Sequence, residues 1–312
     1  MSHQINISYE LDKFMKYKEC NVMMPVDLLK ICMENGGIVM LKESTIKEIS
    51  TIITTFLNGR NPNDIVFKNS IVESLNKITQ KNYTTILETL KNLAYSKTEH
   101  FVTLATDILV RAMNDTVAIK DIELPPGQQT LSDIYAMVAI DFFPLLIKEN
   151  DRQIKFSSVF LDLCKKYFDD FTDQKKLLDQ NNAHRVDSFK GFCHFLGLIY
   201  TKGLINDKVV YQCLVKLADL IFCQKWESNE AENIYEGYRK IIKHTLNILE
   251  KKHLVDNDKI FIAKLGEIHT GITTKNNTIL SKTNTQRLKR SSMLYHDEIE
   301  KRINKLASKN VA

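Results

Sequence analysis

A chain of 312 residues with 44% hydrophobic and 26% charged content has the balance of a globular protein and is long enough to bury a sizeable core. Its net charge of +5 is compatible with RNA but is not evidence for it. No run approaches the roughly 18 apolar residues of a membrane span, and the opening MSHQINISYELDKF lacks the apolar core of a signal peptide, which leaves a soluble protein of the cytoplasm or nucleus.

Ten glycines are about half the usual ~7% usage, and all five prolines lie at or before Pro144, so the chain beyond that point is expected to be helical. Cys20, Cys32, Cys164, Cys193, Cys213 and Cys223 form no CxxC pair and no metal spacing; they read as buried free thiols in a reducing compartment. Heavy use of lysine, asparagine and isoleucine suggests an AT-rich coding genome, such as that of a large DNA virus or certain protists.

Residues 1–43 differ from the rest: one short helical candidate, then Pro25, then Gly36-Gly37. This arm is too short to bury its own core and is expected to be flexible or docked. Within it Ser8 can cap a short helix, Glu10 and Asp12 suit its first turn, and Phe14 and Met15 present an apolar face. Tyr9, four residues, Phe14 and then Met15 resemble the recognition motif of cap-binding proteins, a helix-in-groove mode, with Phe14 standing where the motif has leucine. Tyr17 with Val22-Met23 fits a loosened form of the motif, and Tyr9 fits better.

From Ser44 onward apolar residues recur at helical spacing. Ile46, Ile49 and Ile52 make a stripe that Gly59 and Pro62 end; Phe67, Ile71, Leu75 and Ile78 make the next. Thr79 starts a further helix and Thr98 caps another, carrying Val102, Ala105, Ile108 and Leu109. After a loop with Pro125-Pro126-Gly127, a helix starts at Ser132 and Pro144 is expected to bend it. Phe156, Phe160, Leu163 and Tyr167 follow, then a charged loop from Asp169 to Asp187. Phe189 to Leu217 reads as two helical runs joined by a short turn: one greasy around most of its circumference, then Gly203 as C-cap and Asn206 or Asp207 as N-cap of an amphipathic one. Ile234, Tyr238, Ile241, Leu249, Ile260, Ile262 and Leu265 carry the pattern on.

Taken two at a time, first helices begin near residues 67, 100, 152, 207 and 258, a spacing that scatters around the roughly 40–47 residues of a HEAT unit. The expected fold is therefore all-α, a HEAT-like α-solenoid of about five helical hairpins spanning 44–270. Residues 271–312 form a basic tail: Lys275, Lys282, Arg287, Lys289 and Arg290 lie among Thr, Asn and Ser in a stretch with no acid, and Asp297 to Leu306 is a candidate last helix. Such a tail suits phosphate contacts on RNA, and a solvated basic linker accounts for it equally well.

Chemistry-bearing motifs are not found. The chain has no P-loop, dinucleotide turn, zinc pair or nucleophile elbow. Cys193 and His194 adjoin but point about a quarter-turn apart, so Cys193 is expected in the core and His194 on the surface. His244, His253 and His269 lack metal spacing. No catalytic residue, metal or cofactor is expected.

Two motifs carry a resemblance over about two thirds of the chain. Gly191, Phe195, Leu196, Gly197, Ile199 and Tyr200, followed by Cys213, Leu214, Val215, Lys216 and Leu217, are similar to the G-N-I-K-F-I-G-E-L-F and C-V-V-K-L elements of the middle domain of translation initiation factor 4 gamma. Phe192 and Leu198 replace that motif's asparagine and glutamate. Upstream, Leu75-Asn76-Lys77-Ile78-Thr79 looks like L-N-K-L-T-P, with Gln80 in place of the proline. Asp258-Lys259-Ile260-Phe261 is similar to the family's S-x-R-I-R-F element, with bases missing at two positions. The resemblance implies a non-enzymatic, cytoplasmic translation initiation scaffold. It would hold a DEAD-box RNA helicase through Asn76, Lys77, Thr79, Lys259 and Phe261, a cap-binding initiation factor through Tyr9, Phe14 and Met15, and mRNA through the basic tail. An adaptor sharing the domain, of the poly(A)-binding-protein-interacting or RNA-decay kind, and a plain helical-repeat protein are the alternatives.

Overall fold

The computed structural model describes residues 62–173, 183–221, 228–251, 253–283 and 290–308. The expectations for Tyr9, Phe14, Met15, Arg287 and Lys289 lie outside these residues. Two compact units divide the chain, one of residues 1–77 with 89–93 and one of 78–88 with 94–312.

The fold is all-α and repeat-like: eleven helices and one two-stranded hairpin occur among the described residues. In the first unit, α1 (Pro62–Lys77) buries Ile71 and Leu75, and an i,i+4 pair of Glu73 with Lys77 lies on its wet side. Helix α2 (Tyr83–Lys91) starts in the second unit and ends in the first.

The second unit continues with α3 (Thr98–Met113), the single turn α4 (Thr116–Ile119), α5 (Leu131–Phe142), β1 (Leu146–Glu149), β2 (Arg152–Lys155) and α6 (Phe156–Phe171). Then come α7 (Ala183–Thr201), α8 (Asp207–Ile221), α9 (Ser228–Lys251), α10 (Asp256–Thr283) and α11 (Arg290–Ser308). Helix α3 packs on α5, α6 and α7. Beyond α7 alternate helices stack, α7 on α9 on α11 and α8 on α10, while α8 pairs with α9 and α10 with α11. This is the two-layer stacking of a solenoid, with hairpins that start at α8 and α10, near the predicted 207 and 258.

The pairing around α7 differs from what the short turn suggested. Gly203, at φ +74°, ends α7 in a Schellman motif: Leu204 N–H donates to the Ile199 carbonyl and Gly203 N–H to that of Tyr200, each at 2.9 Å. Across that turn α7 and α8 touch little; each lies chiefly against α9. Helices α6 and α7 meet through rings. Phe160 meets Phe195, Tyr167 meets Phe192, and Phe171 meets Phe189 and Phe192, with centroids 5.6–6.3 Å apart. Tyr95, Phe101, Phe142 and Phe156 extend this aromatic core toward α3 and α5.

Three other expectations are corrected. Pro144 does not bend a helix: α5 stops at Phe142, and residues 146–155 form an antiparallel hairpin pairing Leu146 with Lys155 and Glu149 with Arg152. Asn150 and Asp151, at φ +47° and +61°, supply the two left-handed positions of its turn. Thr98 does not cap α3; the cap residue is Lys97, and the Thr98 N–H donates to the Glu149 carboxylate at 3.0 Å. The proposed boundary at residue 270 falls inside α10, so Lys275 and Lys282 sit on a helix and Arg290 opens the next. Helix α11 is anchored by Ile299, Ile303 and Leu306, all buried.

Candidate partner-binding surface

The L-N-K-I-T stretch separates by polarity. Leu75 and Ile78 are buried, while Asn76, Lys77 and Thr79 are exposed. A capping arrangement holds Thr79: its N–H and hydroxyl both meet the Asn82 carboxamide oxygen, at 2.6 and 2.9 Å. Gln80, in the place of the motif's proline, uses its amide to donate to the Gly127 carbonyl at 3.0 Å and to accept from Gln129 N–H at 3.4 Å. A side chain at residue 80 thus secures the Pro125-Pro126-Gly127 loop, a part the motif's proline could not play.

At the start of α10 the predicted contact residues part company. Lys259 is exposed and pairs with Asp256 at 3.2 Å across one turn. Phe261 is only 5% exposed, and the neighbour that faces water is Ile260, at 56%. Phe261 is therefore placed as a packing residue, and the side chains this turn exposes are Lys259 and Ile260. Asp258, in the first turn of this helix, reaches back to its N-cap: its carboxylate accepts from Val255 N–H at 3.0 Å while its own N–H reaches the Val255 carbonyl.

The motif glycines of α7 explain themselves by contact. A Cβ at Gly191 would lie 2.0 Å from the Met113 carbonyl oxygen at the end of α3, and one at Gly197 would lie 2.6 Å from the His244 ring. Phe195 is fully buried. Gly191, Phe195 and Gly197 therefore set how closely α3 and α9 approach α7. They are residues of the fold.

Charge inside the unit is concentrated on α9. Lys240 is 1% exposed; its ammonium donates to the Ala118 carbonyl at 2.7 Å and to Asp121 at 3.0 Å. Arg239 also pairs with Asp121, and with Glu236 at 2.8 Å, and lies 4.6 Å over the Tyr295 ring. Burial draws the Lys240 ammonium below its ordinary value against the pull of Asp121. Burial acts upward on Asp121, and Lys240 and Arg239 outweigh it, leaving the carboxyl low. Asp121 holds φ +52°, a left-handed position in a non-glycine residue, so these pairs also fix a costly backbone turn. The acidic pair Asp169-Asp170 is likewise not simply solvated. It closes α6, Asp169 meeting Lys216 of α8 and Asp170 meeting Arg185 of α7, each at 3.0 Å.

Two histidine pairs were not legible in the sequence. His194 is half-buried, not on the surface as expected, and its Nδ1 lies 3.2 Å from His244 Nε2. His269 and His296 stack with centroids 3.6 Å apart, each 1% exposed. Burial pulls all four imidazoles down, His194 and His269 to about 4 and His244 and His296 to about 3. The nearest sequence signal is the buried register that each shares: His244 follows Ile241 by three residues, and His269 follows Leu265 by four.

Cys164, Cys193 and Cys213 are buried free thiols, as expected, and burial pushes each up, Cys213 to about 12. Among the described residues no three His, Cys, Asp or Glu side chains are grouped to hold a metal ion, and no helix is long and apolar enough to cross a membrane. Compared with known proteins, the chain matches no protein-family model, and no curated protein matches it.

Proposed function

We propose that this protein is a translation initiation scaffold of the initiation factor 4 gamma kind, which binds and stimulates a DEAD-box RNA helicase by contact and performs no chemistry of its own. The observation that supports the reading is the L-N-K-I-T stretch: its apolar residues, Leu75 and Ile78, are buried, and Asn76, Lys77 and Thr79 are exposed. Lys259, with the exposed Ile260 beside it, is the second contact. Support also comes from the repeat fold and from Gly191 and Gly197, which stand where neighbouring helices leave no space for a Cβ. In this reading Tyr9, Phe14 and Met15 tether a cap-binding initiation factor in the cytoplasm, and Lys275, Lys282, Arg287, Lys289 and Arg290 contact mRNA.

A scaffold of this kind accelerates an ATPase by preferring one conformer of a two-state partner. The test is the RNA-stimulated ATPase rate of a DEAD-box initiation helicase with and without the full chain. A several-fold rise, reduced by Asn76→Ala and Lys77→Ala in variants with unchanged thermal unfolding, is the expected result. If the rate does not change, the reading fails, and the adaptor alternative takes its place. Binding of the 1–43 peptide to a cap-binding protein, lost with Tyr9→Ala, separates the two readings.

A further inference from the structure

Helix α11 is fastened to the unit by a histidine on its own buried face. His296 shares that face with Ile299 and Ile303, at three- and seven-residue spacing, and stacks on His269 of α10 at a ring separation of 3.6 Å and an angle of 17°. His269 Nε2 lies 2.9 Å from the His296 carbonyl oxygen, which only accepts, so Nε2 carries the proton. Its Nδ1 is then the acceptor for the Tyr238 hydroxyl, 3.3 Å away. Both nitrogens of His269 are thereby committed to the neutral ring. A second proton would face the Tyr238 hydroxyl on one side and the His296 ring on the other. Tyr235 closes the pocket beside His296 at 6.2 Å between centroids, and its hydroxyl is buried with no hydrogen-bond partner.

We infer that the His269–His296 stack is an acid-sensitive latch: mild acid releases α11 from α9 and α10 and uncovers the apolar face between them, while α7 and α9 stay folded. Tyr235 and Tyr238 of α9 lie against the stack and Asp297 of α11 acts on His269, while Glu232, Glu236 and Arg239 of α9 surround Tyr235, with Tyr295 of α11 over Arg239. At His269 burial outweighs the His296 carbonyl and Asp297, which both favour the charged ring, and at His296 burial and the facing His269 act together, so the docked pair stays neutral where free imidazoles charge. Release puts both rings in water, and each takes a proton below the ordinary imidazole range near 6.5. Helix α11 packs chiefly on α9 and α10, so it can leave without parting α7 from α9.

The test is hydrogen exchange of the full chain, read on segment 290–308 and on 183–201, from pH 7.5 to 4.8 with the intrinsic rates divided out. At pH 5.0 each released imidazole should favour opening by about thirty-fold, so the opening constant of 290–308 should rise by two to three orders of magnitude from pH 7.5. Its logarithm against pH should approach a slope of two below pH 6, for two protons taken up together. His296→Phe and His269→Phe keep a flat ring in the stack and should each reduce the slope to one. A slope near zero in the parent chain overturns the latch, and that result needs no variant to fold. Loss of protection in 183–201 at the same pH as in 290–308 overturns it as well, since the charge would then be felt by the whole unit.

Discussion

Histidines and glycines occur at both the α7–α9 contact and the α10–α11 contact, and the two contacts use them differently. Between α7 and α9, Gly197 lets the helices approach so closely that the missing Cβ would collide with His244, and Gly237 does the same toward Phe189 and Cys193. Between α10 and α11, Gly266 leaves ordinary space: a Cβ there would sit 3.6 Å from Ile303. Besides the buried Ile299, Ile303 and Leu306, α11 is held by polar contacts that reach α9. Arg302 reaches Glu250 with two nitrogens, at 2.7 and 2.8 Å, and Asn247 at 2.8 Å, and Tyr295 lies under Arg239. Close packing between α7 and α9, against ordinary spacing and polar pairing around α11, distinguishes the middle of the unit from its end.

Acid acts on buried imidazoles at both contacts, and the less closely packed end carrying α11 should open first. The four buried imidazoles have values of about 4 or about 3 in the fold, against roughly 6.5 in the unfolded chain. Above pH 6.5 both states are neutral and stability is complete. As pH falls the unfolded chain binds protons that the fold refuses, so stability is lost from 6.5 down toward the folded values. At pH 5.0 the loss is about 2 kcal/mol for each imidazole. Urea unfolding at pH 7.5 and 5.0 should show a midpoint about 2 M or more lower at pH 5.0, and an unchanged midpoint would mean these rings are charged in the fold.

Gly197→Ala separates the contacts sharply. Its Cβ would meet the His244 ring and its Cβ at 2.6 to 2.8 Å, and neither is the loose end of a flexible chain. A loss of about 2–3 kcal/mol in urea unfolding is expected. Combining it with His244→Ala should cost less than the two single changes added, because the same space is contested.

The parts legible in the sequence were those written in apolar spacing. The repeated stripes placed hairpin starts near 207 and 258, where α8 and α10 begin, and Phe189, Phe192, Phe195 and Ile199 are buried as their spacing required. The β-hairpin was missed because two four-residue strands between helical stripes carry little pattern; the Asn150-Asp151 turn was its one local mark. Much of α10 was missed because residues 273–283 hold only Ile279 and Leu280 as apolar residues. The exposure of Asn76, Lys77 and Thr79 was legible, since they are polar beside buried apolar neighbours. Phe261 was not, because in Ile260-Phe261-Ile262 three apolar residues are consecutive and only the packing decides which one faces out. The pairs Glu149–Thr98 and His194–His244 join residues about fifty positions apart, and no local rule reaches that far.

Arg302→Ala tests the polar fastening of α11. The pair is partly exposed, 21% for Arg302 and 34% for Glu250, so its bidentate geometry contributes only about 1 kcal/mol. The loss should shrink in 1 M salt, whereas that of Gly197→Ala, a matter of volume, should not. Equal salt responses would remove the distinction between the two contacts.

Gly266→Ala has the smallest expected effect and the opposite sign. The added methyl meets Ile303 at ordinary van der Waals distance, and alanine favours the helical backbone over glycine by up to about 1 kcal/mol. A gain of about 0.5–1 kcal/mol is therefore expected in urea unfolding, together with slower exchange of 290–308. Since Gly266 lies on α10 against α11, a gain confined to that end would show that it opens separately from the rest. A loss as large as that of Gly197→Ala would mean that α10 and α11 lie closer than 3.6 Å allows, and the α10–α11 contact would then be close-packed like the α7–α9 one.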